Sequence, residues 1–521
     1  PSFLSPPQML RATFGRWASV NVIKVDVCVL GGGPAGVAAA LRAIDFQKKV
    51  CIIEKTRIGG ADLWNGALQS KAMWEMAKFK AMVAGTTGGR VLELDNKPEV
   101  DVTSVHRWLV EVAETREKQI LAQLQESNVQ VLMGHGMFNT PHEVEVHRAG
   151  GDFTVVHADY FVVCTGSVPR EHPLFRSNGK NIVTSDHVMS QSFPQSMVVI
   201  GAGVIGCEFA TIFANFGLTR VNLIDKAKRI LPNEDDDVAL FIQQLLEQKG
   251  VKIHRGTSLR WLEEQADGRI RYTVKDHQSG ANSEFVVERA LVSIGRQPQY
   301  AGLGLENTKI RIENGRVKKD KFNRCDPYSH IYCCGDAATS HQPLVNVGEQ
   351  EGRMCIEHMY SAKAWKEFEA SNLSTIMFLD QEVAAVGRNE RQCRAENIGH
   401  IAARYSYEYV SRCVAMNNTK GFVKIITSDD REKRILGVRA VGPHASSVVE
   451  LASPIIQNQQ SAYDLCELLT AYPAVTQGFQ ECVRMIIGRS TFKPNHPSMP
   501  GIVMQSSPMS EFSRGRGYTG K

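Results

Sequence analysis

The sequence predicts an α/β protein in which one strand–turn–helix–strand unit occurs twice. Three observations carry that reading. The spacing Gly-x-Gly-x-x-Gly appears at Gly31, Gly33 and Gly36, and again at Gly201, Gly203 and Gly206. Each copy follows a short apolar run and precedes a helix-like one. An acid then closes the next apolar run, Glu54 in the first copy and Asp225 in the second.

The first unit reads "VDVCVLGGGPAGVAAALRAIDFQKKVCIIEK". Val25–Leu30 has the composition of a buried strand, "AGVAAALRA" that of a helix, and "VCIIE" that of a second, parallel strand. Gly31 permits the tight turn, Gly33 lets the backbone approach a pyrophosphate, and Gly36 lets the helix pack on the strand. The helix N-terminus faces the phosphates, and Glu54 accepts hydrogen bonds from a ribose. The second unit, "SMVVIGAGVIGCEFATIFANFGLTRVNLID", repeats the design. Asp225 favours a free 2′-hydroxyl, hence NAD(H) over NADP(H). The following "KAKR" leaves two readings open: Lys226, Lys228 or Arg229 contacting a 2′-phosphate, or a solvated basic turn. Two Rossmann-like units imply two dinucleotides, and a resident FAD with an exchanging nicotinamide is the simplest pair. Two further strand ends suit a flavin: Thr165-Gly166 closes "FVVCTGSVP", and Gly335-Asp336 closes "HIYCCGDAA".

The remaining composition sets bounds. With 521 residues the chain holds about three domains at roughly 150 residues each. It is 43% hydrophobic and 22% charged, with a net charge of +5, which points to neither a nucleic-acid nor a membrane partner. No apolar run approaches the roughly 18 residues of a membrane span. Twelve cysteines show no Cys-x-x-Cys spacing, and Cys28, Cys51 and Cys164 lie in apolar strand-like runs, where a buried thiol in a reducing compartment is expected. Cys207 is read the same way, and no spacing among these four suggests a pair. Residues 1–25 carry Arg11, Arg16 and Lys24 and no acid. Mitochondrial presequences and disordered leaders share that composition, and the first reading places the protein in the mitochondrial matrix. Residues 490–521 contain four prolines and the run "SRGRGYTGK", so they are expected to add nothing to a core.

The motifs taken in order resemble the flavoprotein pyridine nucleotide–disulfide oxidoreductases. They are "GGGPAG", "GG…SK", "CTGS", "GAGVIGCEFA", "SIGRQP", "CCGDAA", "LVNVGEQEGR", "EVAAVG", "GFVKI" and "ILGVRAVGPHA", spread over about residues 24–489. The resemblance implies two Rossmann-like domains plus a C-terminal α/β interface domain. Its expected layout is a basic arm at 1–21, FAD-binding parts at 22–190 and 320–368, an NAD(P)-binding domain at 191–319, an interface domain at 369–489 and an extension at 490–521. It also implies a homodimer. By resemblance Gly59, Gly60, Ser70, Gly295 and Arg296 join the cofactor-binding set, Asp336 takes the ribityl chain, and Lys71 pairs with Glu208 beside the flavin's reactive nitrogen.

Two departures stand out against that family. Asp62 and Ala67 occupy the positions of its two redox cysteines, and Gln69 replaces the Pro before Ser70-Lys71. Tyr472, before Pro473, and Gln477 occupy the positions of its acid–base His and orienting Glu. The soluble transhydrogenase branch shares the Tyr-Pro and the missing second cysteine. Asp62 reads either as a proton donor near the flavin or as a helix cap. The resemblance therefore implies an FAD-dependent NAD(P)H oxidoreductase working without a redox disulfide. The alternative is a retired flavoprotein serving as a structural subunit of a mitochondrial assembly, held through its terminal extensions by protein or RNA.

Overall fold

The structure is a computed structural model that describes residues 21–84, 99–338, 343–361 and 372–507. The basic arm and the "SRGRGYTGK" run lie outside the described residues.

The first sheet runs Gln130–Met133, Val50–Glu54, Asn21–Leu30, Phe153–Val163, Glu143–His147, His135–Thr140. Asn21–Leu30 pairs in parallel with Val50–Glu54 and with Phe153–Val163. Val50–Glu54 is buried throughout, and the other two strands are buried over their C-terminal ends, Val27–Leu30 and Phe161–Val163, as helix-covered parallel strands are. The late strand Ile331–Cys333 returns to pair with Phe153–Val163, with Cys333 opposite Val163. A nucleotide unit interrupted in sequence is thereby completed in space. The second sheet is wholly parallel: Lys252–His254, Arg220–Ile224, Ser196–Ile200, Arg289–Val292 and Ile182–Thr184. The order at each glycine turn is strand, helix, parallel strand, as the sequence predicts.

A third sheet is antiparallel, running Thr375–Met377, Val383–Gly387, Ile435–Val441, Phe422–Ser428, His400–Ser406, Ile502–Ser507. The last of these strands corrects an expectation. The proline-bearing segment from residue 490 joins the core: Ile502 is fully buried opposite Tyr405, and Phe492 and Met499 pack on the same cluster. Asn495 clips the strand, its amide donating to the Met504 carbonyl (2.9 Å) and its carbonyl accepting the Met504 N–H (3.2 Å). An unpaired edge on His400–Ser406 supplied the partner that composition alone does not reveal.

Packing joins the three sheets. Trp74 of the helix Ala67–Ala84 is buried, stacks edge-on against Phe378, and donates its indole N–H to the Leu379 carbonyl at 2.9 Å. Lys424 is the second junction. Its buried ammonium lies 2.7 Å from Asp235, 2.6 Å from Asp237 and 2.9 Å from Glu390. Burial alone would lower its pKa; the carboxylates reverse that and raise it above the ordinary lysine value. Lys424→Met would leave three carboxylates facing one another without their cation, at a cost of about 3–5 kcal/mol. The expected outcome is a clearly lowered thermal unfolding midpoint, and an unchanged midpoint would show that the pairs contribute nothing.

Candidate active site

The glycine turns behave as their spacing demands. Gly31 has φ +110°, and a Cβ built there would lie 2.3 Å from the Cys164 carbonyl oxygen. A Cβ on Gly36 would lie 1.9 Å from the Gly31 carbonyl oxygen. Gly33 differs, since its Cβ would meet only the Gly60 Cα, at 3.9 Å. The second turn repeats this: Gly201 (φ +104°) and Gly206 are sterically closed, while around Gly203 there is nothing within 4 Å. The middle glycine of each turn thus borders open space, where a pyrophosphate requires close approach. The helices Pro34–Asp45 and Val204–Phe216 begin there with no side-chain cap and no acid in the first turn. Their first N–H groups remain available to an anion.

Glu54 and Asp225 are held alike. One Glu54 oxygen accepts the Gly32 N–H (2.8 Å), and the other accepts the N–H (2.8 Å) and hydroxyl (3.0 Å) of Thr56. One Asp225 oxygen accepts the Ala202 N–H (2.6 Å), and the other the Ala227 N–H (2.7 Å). Both carboxylates are thereby oriented at the ends of their strands. A cleft lined by Gly31, Glu54, Lys55, Thr165 and Gln299 opens beside the first. In the basic turn, Arg229 is committed inward, to Asp236 and to the carbonyls of Pro232 (2.9 Å) and Glu234 (2.6 Å), while Lys226 and Lys228 are exposed.

Asp336 accepts a hydrogen bond from the Ser167 hydroxyl at 2.7 Å, which ties together the ends of the adjacent strands Phe153–Val163 and Ile331–Cys333. Gly335 (φ +65°) donates its N–H to Glu351 at 2.7 Å, and buried Glu351 pairs with Lys319 at 3.3 Å. Arg296 serves as a brace: it donates to the Ser167 hydroxyl (2.9 Å) and carbonyl (2.7 Å) and to Asp186 (2.8 Å). Beside it Gly295 (φ +101°), like Gly166 (φ +69°), borders open space. Sequence reasoning missed Glu351, Lys319 and Asp186, which make no contact with a cofactor motif until the chain is folded.

The centre of the site is an ion pair. Lys71 Nζ lies 2.9 Å from Glu208 Oε2 and 3.4 Å from the Ser70 hydroxyl. The other Glu208 oxygen accepts the Phe378 N–H at 2.9 Å, and the Lys71 ammonium sits 5.0 Å from the Phe378 ring centroid. One residue comes from each of the three sheets' regions, so the pair marks where they converge. Gln69 is buried and donates to the Leu109 carbonyl at 3.3 Å, fixing the helix that carries Lys71. Tyr472 is 76% exposed, and its hydroxyl reaches Ser411 at 3.3 Å. Gln477 opens the helix Gln477–Ile486 with its side-chain oxygen buried and unpartnered among the described residues.

Asp62 lies in the first turn of the helix Gly60–Trp64, whose cap is Gly59. The capping reading is therefore corrected: the αL conformation of Gly59 (φ +99°) starts the helix, and Asp62 follows three residues later. Burial raises the Asp62 pKa, Glu349 adds like-charge repulsion, and Arg116 and Lys71 oppose both. A carboxyl whose folded pKa lies above its unfolded value loses stability as pH rises through the window between the two. Asp62→Asn removes that loss. The variant is expected to melt higher than the parent at neutral pH, with the difference closing as pH falls into the ordinary carboxylate range. A difference independent of pH would place the effect elsewhere.

The residues brought together here match a known family. The model of pyridine nucleotide-disulphide oxidoreductases matches residues 25–352, and that of the family's dimerisation domain matches residues 373–483. A dihydrolipoyl dehydrogenase of Bacillus subtilis (strain 168) is 29% identical over 477 residues, covering 89% of this chain and 97% of its own. Leghemoglobin reductase of Vigna unguiculata is 28% identical over 460 residues, covering 88% and 86%. The crystal structure of LpdA from Mycobacterium tuberculosis superposes with a TM-score of 0.80 at 25% identity, covering 89% of this chain and 99% of that one. Family members bind FAD and a nicotinamide dinucleotide, and no helix among the described residues is long and apolar enough to cross a membrane. The chain belongs to the pyridine nucleotide–disulphide oxidoreductase family and carries its dimerisation domain.

Proposed function

We propose that this chain is an FAD-dependent NAD(P)H oxidoreductase of transhydrogenase or diaphorase type, working without a redox disulfide. One observation carries the reading: the Lys71–Glu208 pair is intact at 2.9 Å while Asp62 stands on the preceding helix and Ala67 opens the helix that carries Lys71. FAD, when bound, supplies a reversible two-electron acceptor for hydride from a nicotinamide. The chain's own part is positioning and charge. Gly33 and Gly203 leave room for two pyrophosphates, and Glu54 and Asp336 present acceptors to hydroxyl groups. Lys71 offers a fixed positive charge that favours electron-rich forms of a neighbouring ring. Glu208 holds that charge in place, and the Phe378 N–H holds Glu208.

Geometry at the second unit supports NAD(H) over NADP(H). Asp225 is oriented by two main-chain donors, and a carboxylate repels a 2′-phosphate. Of the basic turn, Arg229 is committed inward to its own loop. The competing reading is a flavoprotein retired into a structural role within a mitochondrial assembly, and it rests on the same rewritten positions.

An assay of NADH-dependent reduction of an artificial dye divides the two. Activity is expected in the parent, with a roughly 100-fold loss in Lys71→Met, of the size seen when one preorganised charge donor is removed. The double variant Lys71→Met/Glu208→Gln relieves the unpaired carboxylate and is expected to regain stability but not rate. No dye reduction by the flavin-loaded parent with either NADH or NADPH would overturn the oxidoreductase reading and favour the structural one.

A further inference from the structure

Seven of the chain's cysteines fall in the first nucleotide unit and its returning segment: Cys28, Cys51, Cys164, Cys325, Cys333, Cys334 and Cys355. All seven are buried as free thiols. No Cys-x-x-Cys spacing marks a pair among them, yet the fold brings Cys28 to Cys51, Cys325 to Cys333, and Cys164 to Cys334. Cys164 Sγ and Cys334 Sγ lie 3.4 Å apart although 170 residues separate them in sequence. Their juxtaposition follows from register. Cys333 lies opposite Val163 in adjacent parallel strands, and the Cys334 N–H donates to the Val163 carbonyl at 3.1 Å. The next residue of each strand therefore faces its counterpart on the same side of the sheet. Adjacent strands are about 4.8 Å apart, inside the range of about 4.4–6.8 Å between α-carbons that a disulfide spans.

The pair lies directly behind the cofactor turns. The Cys164 carbonyl is the group that forbids a Cβ on Gly31. Thr165-Gly166 follows one cysteine, and Gly335-Asp336 follows the other. We infer that Cys164 and Cys334 form a redox latch, a dithiol that closes to a disulfide under peroxide and locks the two flavin-side strand ends together. A third thiol, Cys355 on the helix Val345–Tyr360, also contacts Cys334.

The chemistry balances with hydrogen peroxide as oxidant. The Cys334 sulfur attacks one peroxide oxygen, the O–O bond breaks, and one water leaves once the thiol proton is transferred. This forms a sulfenic acid at Cys334. The Cys164 sulfur then attacks that sulfur, the S–O bond breaks, and a second water leaves. Two thiols are oxidised by two electrons, and one peroxide is reduced to two waters. Contacts with Cys164 and Cys355 and the Lys319 charge lower the Cys334 pKa against the effect of burial, which favours Cys334 as the attacking sulfur, and attack from either thiol gives the same bond. Burial favours a water-sized oxidant over a peptide disulfide. Closure shortens the sulfur–sulfur distance from 3.4 Å to about 2.05 Å, so little backbone movement is required.

The latch rests on the family's FAD binding only for its consequence, not for the bond itself. The test treats the folded full-length protein with hydrogen peroxide, alkylates it under denaturing conditions, and maps peptides without reductant. A Cys164–Cys334 cross-link is expected, absent from Cys164→Ser and retained in Cys355→Ser. Heat-driven flavin release is expected to slow several-fold after oxidation and to recover with dithiothreitol. Free Cys164 and Cys334 after treatment, or a Cys334–Cys355 link, would overturn the pairing. An unchanged release rate in cross-linked protein would overturn the latch. Protein that purifies without flavin would count against the cofactor reading instead, while the peptide map would still decide the bond.

Discussion

The ion pair between Lys71 and Glu208 is the contact at which residues of both nucleotide units and of the C-terminal sheet region meet. Lys71 sits on a helix of the first unit, Glu208 near the start of the second unit's glycine helix, and the Phe378 N–H comes from the chain entering the third sheet. Glu208 is largely buried, so its charge requires both partners. Any shift between the units would strand it. The same contact that sets their relative placement also puts a cation where a flavin ring is expected, so assembly and electrostatics share one interaction. Lys424 plays a comparable part further along the boundary between the second unit and the third sheet, where its ammonium holds three carboxylates together.

What the sequence made legible was what local geometry forces. Gly31 and Gly36 are closed to any side chain by main-chain atoms a few residues away or on the next strand, so their spacing reports the turn directly. Glu54 and Asp225 end strands and must orient toward the neighbouring turn, and each does so through two main-chain donors at equivalent positions, Gly32 and Thr56 for one, Ala202 and Ala227 for the other. Lys71 and Glu208 were legible only through resemblance, since nothing local links residues 137 apart.

The rest depended on partners that only folding supplies. Lys319 converges on the site from a segment carrying no motif of its own, and Glu349 and Glu351 come from "LVNVGEQEGR", a run in which the resemblance gives no single residue a role. Arg296, expected at a cofactor, also braces Ser167 against Asp186, a contact its motif does not announce. The segment after residue 490 has a composition that suits a tail, but the free edge of His400–Ser406 turned it into a strand. Cys164 and Cys334 escaped notice because spacing arguments see neighbours in sequence, while register between parallel strands sets neighbours in space.

The proposed function requires that electrons pass through the flavin without a second, disulfide-based store beside it. Anaerobic titration with NADH, followed by flavin absorbance, tests it most directly, on holoprotein whose flavin is oxidised and whose Cys164 and Cys334 are kept as thiols. One equivalent of NADH per flavin should bleach the spectrum completely, because only the flavin accepts electrons. A requirement for two equivalents would reveal a second two-electron acceptor and contradict the claim. A flavin that stays oxidised would contradict its role as an electron carrier altogether.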